Sequence, residues 1–377
     1  MDLAFTEEQE MLKKSARDFL GNECPATLVR EMEEDEKGYS PDLWRKMANL
    51  GWMGLIIPEK YGGSGNSFLE LTVLLEEMGR ALLPGPFFST TVFGALSVMA
   101  AGSEEQKGDI LPKIANGEKI LTMALNEPDF SPIAAGISVS ARADGDEYVI
   151  NGTKLFVLNA HVADQIVCVA RTKSGGAPED GVTMFLVDGK SPGVKVTVLD
   201  TAARDKHCEV LFDNVRVPKK NILGELDRGW PVVDDLMEKA AVAESARMLG
   251  GCQKVLEITA EHAKTRVAFG HPIGMFQTVA HRTADQMIDT ETSRHLIYLA
   301  AWQISEGLPF AREASVAKAY LSIAYRRVCT EAHQTLAGIG VMEDHDLQLY
   351  TRRAKVAEFA CGDAPTHLER IAQEMDL

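Results

Sequence analysis

Apolar residues recur at helical spacing through the first third of the chain. Met11, Leu12, Ala16 and Leu20 fall on one face of a helix, and Thr6 is placed to cap its N-terminus. Similar patterns predict helices that begin at Pro41, after Ser67, after Pro86 and after Ser103. We therefore expect a helical N-terminal domain over residues 1–118.

Between residues 119 and 225 the pattern changes to short runs rich in β-branched and aromatic residues. The predicted strands are 147–150, 154–158, 165–170, 182–187, 194–198 and 208–212. Turn signals such as Asn151-Gly152 and Asp180-Gly181 separate them. Regular short strands without intervening helices favour a small antiparallel barrel or sandwich.

From Gly229 onward the chain is helical again. Three long stretches, about 232–267, 278–306 and 311–336, have few glycines and suit a helical bundle over residues 226–377. The fold class is therefore α+β, with a β-rich middle domain between two helical domains. Gly338-Ile339-Gly340 follows a helix rather than a strand, so it is not a Rossmann-type dinucleotide fingerprint.

Charge and cysteine content narrow the functional classes. The chain has 39 basic and 55 acidic residues, a net charge of −16, which disfavours nucleic acid or an anionic membrane as a partner. None of the six cysteines forms a C-x-x-C pair, so we expect neither a metal site nor a disulfide framework. No signal peptide or membrane span is indicated, and we expect a cytoplasmic protein.

Six segments, in order along nearly the whole chain, resemble the acyl-CoA dehydrogenase family. They are FTEEQ at 5–9, LGW and IPEKYGG within 50–63, NEP at 126–128, NGTK and NA within 151–160, R-x-x-F-G-x-P-I-x-x-x-Q at 266–277, and QTLAGIG at 334–340. The resemblance implies an N-terminal helical domain, a middle antiparallel β-barrel and a C-terminal four-helix bundle. It also implies FAD as the cofactor and an acyl-CoA as the substrate.

The resemblance assigns candidate FAD-binding residues in two groups. In this family the barrel and the C-terminal bundle bind the flavin ring, and a neighbouring subunit contacts the adenine end. The candidates are Asn126, Phe156 and Leu158 in the barrel region, and Arg266, Phe269, Gln277, Gln334 and Gly338 in the C-terminal region. An arginine suits bidentate phosphate recognition, although an exposed helix-end cation is the alternative for Arg266.

The chain departs from the family pattern where the chemistry is expected. Most members have a flavin-covering Trp and a Thr that hydrogen-bonds flavin N5; here these positions are Phe156 and Leu158, and Leu cannot donate. Pro132 removes a backbone donor from the segment after Asn126. The position of the catalytic Glu reads Cys361, which can offer only its backbone N–H to a thioester carbonyl.

A second position in the family can supply the base, on the first long helix of the bundle. Here it falls at Ala240, and Glu244 lies one turn later on the same face. Glu244 is therefore the candidate base and Glu238 the next one. The alternative is that Glu244 is a solvated carboxylate paired with Arg247 or Lys239.

These departures resemble a divergent bacterial branch of the family, which includes the small subunit of pimeloyl-CoA dehydrogenase and subunits acting on steroid side chains. The resemblance implies α,β-desaturation of an acyl-CoA, with electrons passed to an electron-transfer flavoprotein. It implies a homotetramer or an α2β2 heterotetramer with a homologous chain. The alternative function is a non-catalytic or weakly catalytic subunit that completes the FAD site of its partner.

Overall fold

The computed structural model describes residues 5–129 and 133–375, so Pro132 lies outside the described residues. Two compact units form. The helical unit comprises Met1–Arg30, Ser67–Leu83 and Glu238–Leu377, and the sheet unit comprises Glu31–Asn66 and Pro84–Met237. Each unit is therefore assembled from separate segments of the chain, and the domain boundaries at 118/119 and 225/226 stay predictions.

The helices begin where the sequence places capping residues. Their bounds are α1 Glu7–Glu23, α2 Ala26–Glu34, α3 Pro41–Asn49, α4 Phe68–Arg80, α5 Leu96–Ala101, α6 Glu104–Ala115, α7 Trp230–Thr265, α8 Gln277–Ser305, α9 Ala311–Leu336, α10 Leu347–Phe359 and α11 Ala364–Glu374. Thr6, Ser67 and Ser103 each form a capping box, which satisfies backbone donors in the first turn. A π-helical segment, Ser89–Ala95, precedes α5.

The sheet unit contains an eight-stranded sheet. Its strands are β1 Leu121–Ala124, β2 Ser140–Asp144, β3 Glu147–Leu158, β4 Gln165–Arg171, β5 Val182–Asp188, β6 Val194–Val198, β7 His207–Pro218 and β8 Ile222–Leu223. The order is β6-β7-β3-β2-β4-β5-β8, with β1 beside β4. Most pairs are antiparallel, as predicted, whereas β1 and β2 each run parallel to β4.

The predicted turn at Asn151-Gly152 is wrong, because these residues lie inside β3. The register of β3 against β7 shifts between Ile150 and Gly152, which marks a β-bulge. Gly152 has a φ of 138°, and a Cβ there would lie 2.7 Å from a methyl of Val139. Glycine therefore serves a bulge and a close approach rather than a chain reversal.

Two glycines bring the backbones of α4 and α7 into contact in the helical unit. A Cβ at Gly250 would lie 1.8 Å from the carbonyl oxygen of Glu76, and one at Gly79 would lie 1.9 Å from that of Arg247. The Glu76 carboxylate is buried beside this crossing, where Lys13, Arg294 and Tyr298 donate hydrogen bonds to it. The crossing fixes the part of α7 that carries Glu244.

A two-stranded ribbon, β9 Val267–Ala268 and β10 His271–Pro272, connects α7 to α8.

Among the described residues, no helix is both long and apolar enough to span a bilayer. Within those same residues, no cluster of three or more His, Cys, Asp or Glu side chains is arranged to hold a metal ion.

Candidate functional site

The end of β3 presents an exposed aromatic ring. Phe156 has a φ of 54°, in the left-handed region, at a second register shift between Lys154 and Val157. Val157 is buried, whereas the Phe156 side chain is 45% exposed. The bulge therefore turns an apolar ring outward from the sheet, and Leu158 is half-buried beside it at the strand end.

A buried ion pair holds Asn126 beside this strand. Lys154 Nζ donates to Glu127 Oε1 at 2.7 Å and to the carbonyl of Leu125 at 2.9 Å, with both charged side chains buried. Burial raises the pKa of the Glu127 carboxyl, but the Lys154 ammonium and the hydrogen bonds from Ser138 more than offset this and lower it. The Leu155 N–H then donates to the carbonyl of Asn126 at 2.9 Å.

Glu244 is buried on α7, in the helical unit. Its side chain is 8% exposed, and Ala240, Ala241 and Ala243 around it are inaccessible to solvent. Arg247 Nη1 donates to Glu244 Oε2 at 2.8 Å, one turn along the helix. The pairing with Arg247 is thus present, but the carboxylate is not a solvated surface group.

A buried lysine and a histidine hold the turn at Cys361. This residue has a φ of 57°, and Gly362, which follows it, has a φ of 95°. Lys318 Nζ donates to the carbonyl of Gly362 at 2.8 Å and to those of Ala357 and Glu358 at 3.1 Å. The end of α10 and the turn after it therefore share one ammonium group.

His367 completes the support of this turn. Its Nε2 donates to the carbonyl of Cys361 at 2.9 Å, and its Nδ1 accepts from the hydroxyl of Ser315 at 3.1 Å. Burial lowers the pKa of His367 to about 4, so the imidazole is neutral near neutral pH. Within residues 5–129 and 133–375, the backbone N–H of Cys361 has no hydrogen-bond partner.

The structure brings Glu244 and Cys361 together electrostatically. Burial, together with the negative charge of Glu244, raises the pKa of the Cys361 thiol to about 12. Glu244 also raises the pKa of Lys318, although burial dominates and lowers it. The Cys361 thiol is therefore protonated, and Glu244 is the carboxylate that acts on it electrostatically.

The other acidic candidates have structural partners. Glu238 Oε1 lies 3.4 Å from Arg370 Nη1, which ties α7 to α11. Asp363 caps α11 by accepting from the N–H of Thr366 at 3.0 Å. Each of these carboxylates thus has a partner that accounts for its position.

The five C-terminal cofactor candidates lie on the surface of the protomer. Phe269 is 92% exposed, with a φ of 52° in the turn between β9 and β10. Arg266, at the end of α7, is also exposed. Gln277, at the start of α8, and Gln334 and Gly338, near the end of α9, are likewise exposed.

Sequence reasoning missed Lys318 and His367. Lys318 lies between Ala317 and Ala319 and three residues after Ser315, so a buried face was readable from the small neighbours. The three carbonyls that accept from its ammonium lie 39, 40 and 44 residues away in the chain, so local periodicity could not reveal them.

Comparison with known proteins identifies the family. The N-terminal, middle and C-terminal domain models of acyl-CoA dehydrogenase match residues 6–118, 122–215 and 227–375. A probable acyl-CoA dehydrogenase of Bacillus subtilis, YngJ, is 30% identical over 98% of both chains. The CarC subunit of the caffeyl-CoA reductase–Etf complex of Acetobacterium woodii is 30% identical over 93% of this chain and 94% of its own.

A solved structure shows the same fold. A chain of the ChsE4–ChsE5 complex of Mycobacterium tuberculosis superposes with a TM-score of 0.91 and 30% identity, covering 100% of this chain and 99% of that one. The predicted α+β architecture, with helical terminal domains and a β-sheet domain between them, is confirmed. The chain therefore belongs to the acyl-CoA dehydrogenase family, whose members are FAD-dependent oxidoreductases acting on CH–CH groups.

Proposed function

We propose that this chain desaturates an acyl-CoA thioester between its α and β carbons, with Glu244 as the base. The observation that carries the proposal is the buried Glu244 carboxylate, close enough to the Cys361 turn to perturb the Cys361 thiol. A buried carboxylate in small apolar surroundings is the kind of group that abstracts a weakly acidic proton. The second group required is a donor to the thioester oxygen. The N–H of Cys361, which has no hydrogen-bond partner among the described residues, provides one.

The residues of the sheet unit fit a flavin. Phe156 offers a partly exposed aromatic ring for stacking, and the Glu127–Lys154 pair holds Asn126 beside the same strand. When bound, FAD would accept the β-hydrogen as hydride. The exposed Arg266, Gln277, Gln334 and Gly338, together with the ring of Phe269, are available to bind a cofactor held by a neighbouring subunit.

Different residues of this chain would abstract the α-proton, polarise the thioester carbonyl and hold the polarising group in place. Glu244 would take the α-proton on a carboxylate oxygen, while the hydrogen bond from Arg247 to Oε2 holds the carboxylate in position. The Cys361 N–H would polarise the thioester carbonyl and so make the α-proton more acidic. Lys318 and His367 keep that N–H in place, because they bind the two carbonyls of the turn.

Replacing the base tests this proposal. Glu244→Gln keeps size and removes basicity, so acyl-CoA-dependent bleaching of the flavin should slow by at least about 100-fold, the lower range for general-base catalysis. Glu257→Gln, a carboxylate on the same helix paired with Arg80, is the control and should bleach at the wild-type rate. Unchanged bleaching by Glu244→Gln, with FAD retained, would exclude Glu244 as the base.

The second candidate is a subunit that completes the FAD site of a homologous partner. The exposed Phe269, Gln334 and Gly338 and the thiol at Cys361 favour it. The ChsE4–ChsE5 relative is a complex of two chains, and we propose a comparable α2β2 assembly, with a homotetramer as the alternative. Co-expression with a homologous dehydrogenase chain distinguishes the two functions: full activity of the complex with Glu244→Gln would place catalysis in the partner.

An electron-transfer flavoprotein is the proposed electron acceptor. The CarC relative belongs to a complex that contains such a flavoprotein. Mixing the acyl-CoA-reduced enzyme with purified electron-transfer flavoprotein should reduce the acceptor's flavin, as followed by its absorbance. An oxidised acceptor after prolonged mixing would refute this assignment.

A further inference from the structure

An imidazole from the neighbouring strand β7 lies beside the end of β3 that carries Phe156 and Leu158. Leu158 of β3 and His207 of β7 are register partners, so their side chains lie on the same face of the sheet. The centroids of the Phe156 and His207 rings are 6.4 Å apart, with an interplanar angle of 70°. An aromatic face and a polar group are therefore presented side by side.

Asp205 determines which nitrogen of His207 is available. The Nδ1 atom lies 3.1 Å from Oδ1 of Asp205, and both side chains are largely buried, at 15% and 12% exposure. Thr201 donates a hydrogen bond of 2.6 Å to the same Oδ1 and holds the carboxylate in place. Nδ1 is buried and makes no hydrogen bond of acceptable geometry with any described residue. A proton on Nδ1 avoids repulsion between two lone pairs at this distance, so we assign the proton to Nδ1. Among the described residues Nε2 also has no hydrogen-bond partner.

We propose that His207 Nε2 contacts the hydrogen-bonding edge of the flavin ring and tunes its reduction potential. This inference rests on the proposed function, because it takes Phe156 as the surface on which the ring stacks. The Leu158 side chain has no polar atom, whereas the imidazole beside it can bond to a ring nitrogen. Hydrogen bonds and charge near the flavin nitrogens are established means of tuning a bound flavin.

Both protonation states of His207 act in the same direction. A neutral Nε2 accepts a hydrogen bond from an N–H that the ring gains on reduction, and a protonated imidazole stabilises the negative charge that reduction adds. In either case His207 favours the reduced cofactor. His207 is therefore a tuning residue, distinct from the proton-abstracting carboxylate.

The test is the midpoint potential of the FAD in the purified enzyme, with its partner chain if one is required. His207→Leu should weaken the preference for the reduced flavin about tenfold. For a two-electron couple this lowers the midpoint potential by about 30 mV. His207→Gln, which keeps an acceptor, should recover part of the shift. Arg216→Gln, at the far end of β7 and paired with Asp144 and Glu147, is the control and should leave the potential unchanged.

The outcomes separate this inference from the proposed function. If His207→Leu keeps FAD and the wild-type potential, the tuning role is wrong while desaturation stands. If His207→Leu only weakens FAD binding and the residual flavin has an unaltered potential, His207 is structural and the inference fails. If the wild-type protein and its complex take up no FAD, the proposed function itself fails.

Discussion

Replacing Lys318 by Met tests how strongly the Cys361 turn depends on one ammonium group. The methionine keeps most of the buried aliphatic stem and removes the charge. Lys318 Nζ bonds to the carbonyls of Ala357, Glu358 and Gly362 and to the hydroxyl of Ser322. Met cannot replace any of these donors.

The expected loss of stability follows from the three carbonyls. A buried acceptor left without a donor costs about 1 kcal/mol or more, so three of them cost at least about 3 kcal/mol. Relief from burying a charge offsets part of this. The ammonium also faces the C-terminal end of α10, where a positive charge is favourable, so we expect a net destabilisation of about 2–3 kcal/mol.

Urea unfolding of the holoenzyme measures this loss, and steady-state kinetics show whether the turn has moved. A displaced Cys361 N–H should lower kcat more than it raises KM, because it acts on the developing oxyanion. Lys355→Met is the control: Lys355 is exposed on α10 and pairs with Glu358 at 3.0 Å, so we expect a change below about 0.5 kcal/mol. A Lys318→Met protein as stable and active as this control would refute the reasoning.

Two further predictions concern stability. The His367 pKa is lowered from 6.5 to about 4, so the unfolded chain binds the proton first. His367 therefore leaves the free energy of unfolding unaffected above pH 6.5 and lowers it by up to about 3 kcal/mol as the pH falls to 4. In His367→Gln, the free energy of unfolding measured in urea should vary less with pH across that window. An unchanged pH dependence would contradict this. Gly250→Ala places a methyl against the main chain of Glu76 and should cost more than about 3 kcal/mol. The control is Gly21→Ala, where no atom of the described residues lies within 4 Å of the added Cβ; it should stabilise by roughly 0.5–1 kcal/mol in the same thermal melt. Equal melting temperatures for the two variants would show that α4 and α7 separate freely.

Much of the fold could be predicted from local patterns. Capping residues at Thr6, Ser67 and Ser103 mark helix starts because their contacts span only three residues. The strands β1 and β2 were not predicted. The β1 segment is short and buried throughout, so it shows no alternation of polar and apolar residues that would distinguish it from a helix.

The candidate site was harder to predict, because its parts come from distant segments. Sequence reasoning selected Glu244 because it lies one helical turn after Ala240, and the structure adds its burial beside Arg247. Its influence on Cys361 spans more than a hundred residues of chain and leaves no local signal. The roles of Glu244, Cys361 and the eight cofactor candidates stay predictions that the experiments above address.

The glycine contact between α4 and α7 limits how this enzyme can be re-engineered. With Gly79 and Gly250 pressed against opposing main chains, α7 cannot roll about its axis to redirect a carboxylate. Relocating the base to Ala240 would therefore require an acidic substitution at that position, with new space made for its side chain. The backbone contact fixes the direction in which the Glu244 side chain leaves α7. Redesign on this scaffold therefore has to substitute residues rather than reposition helices.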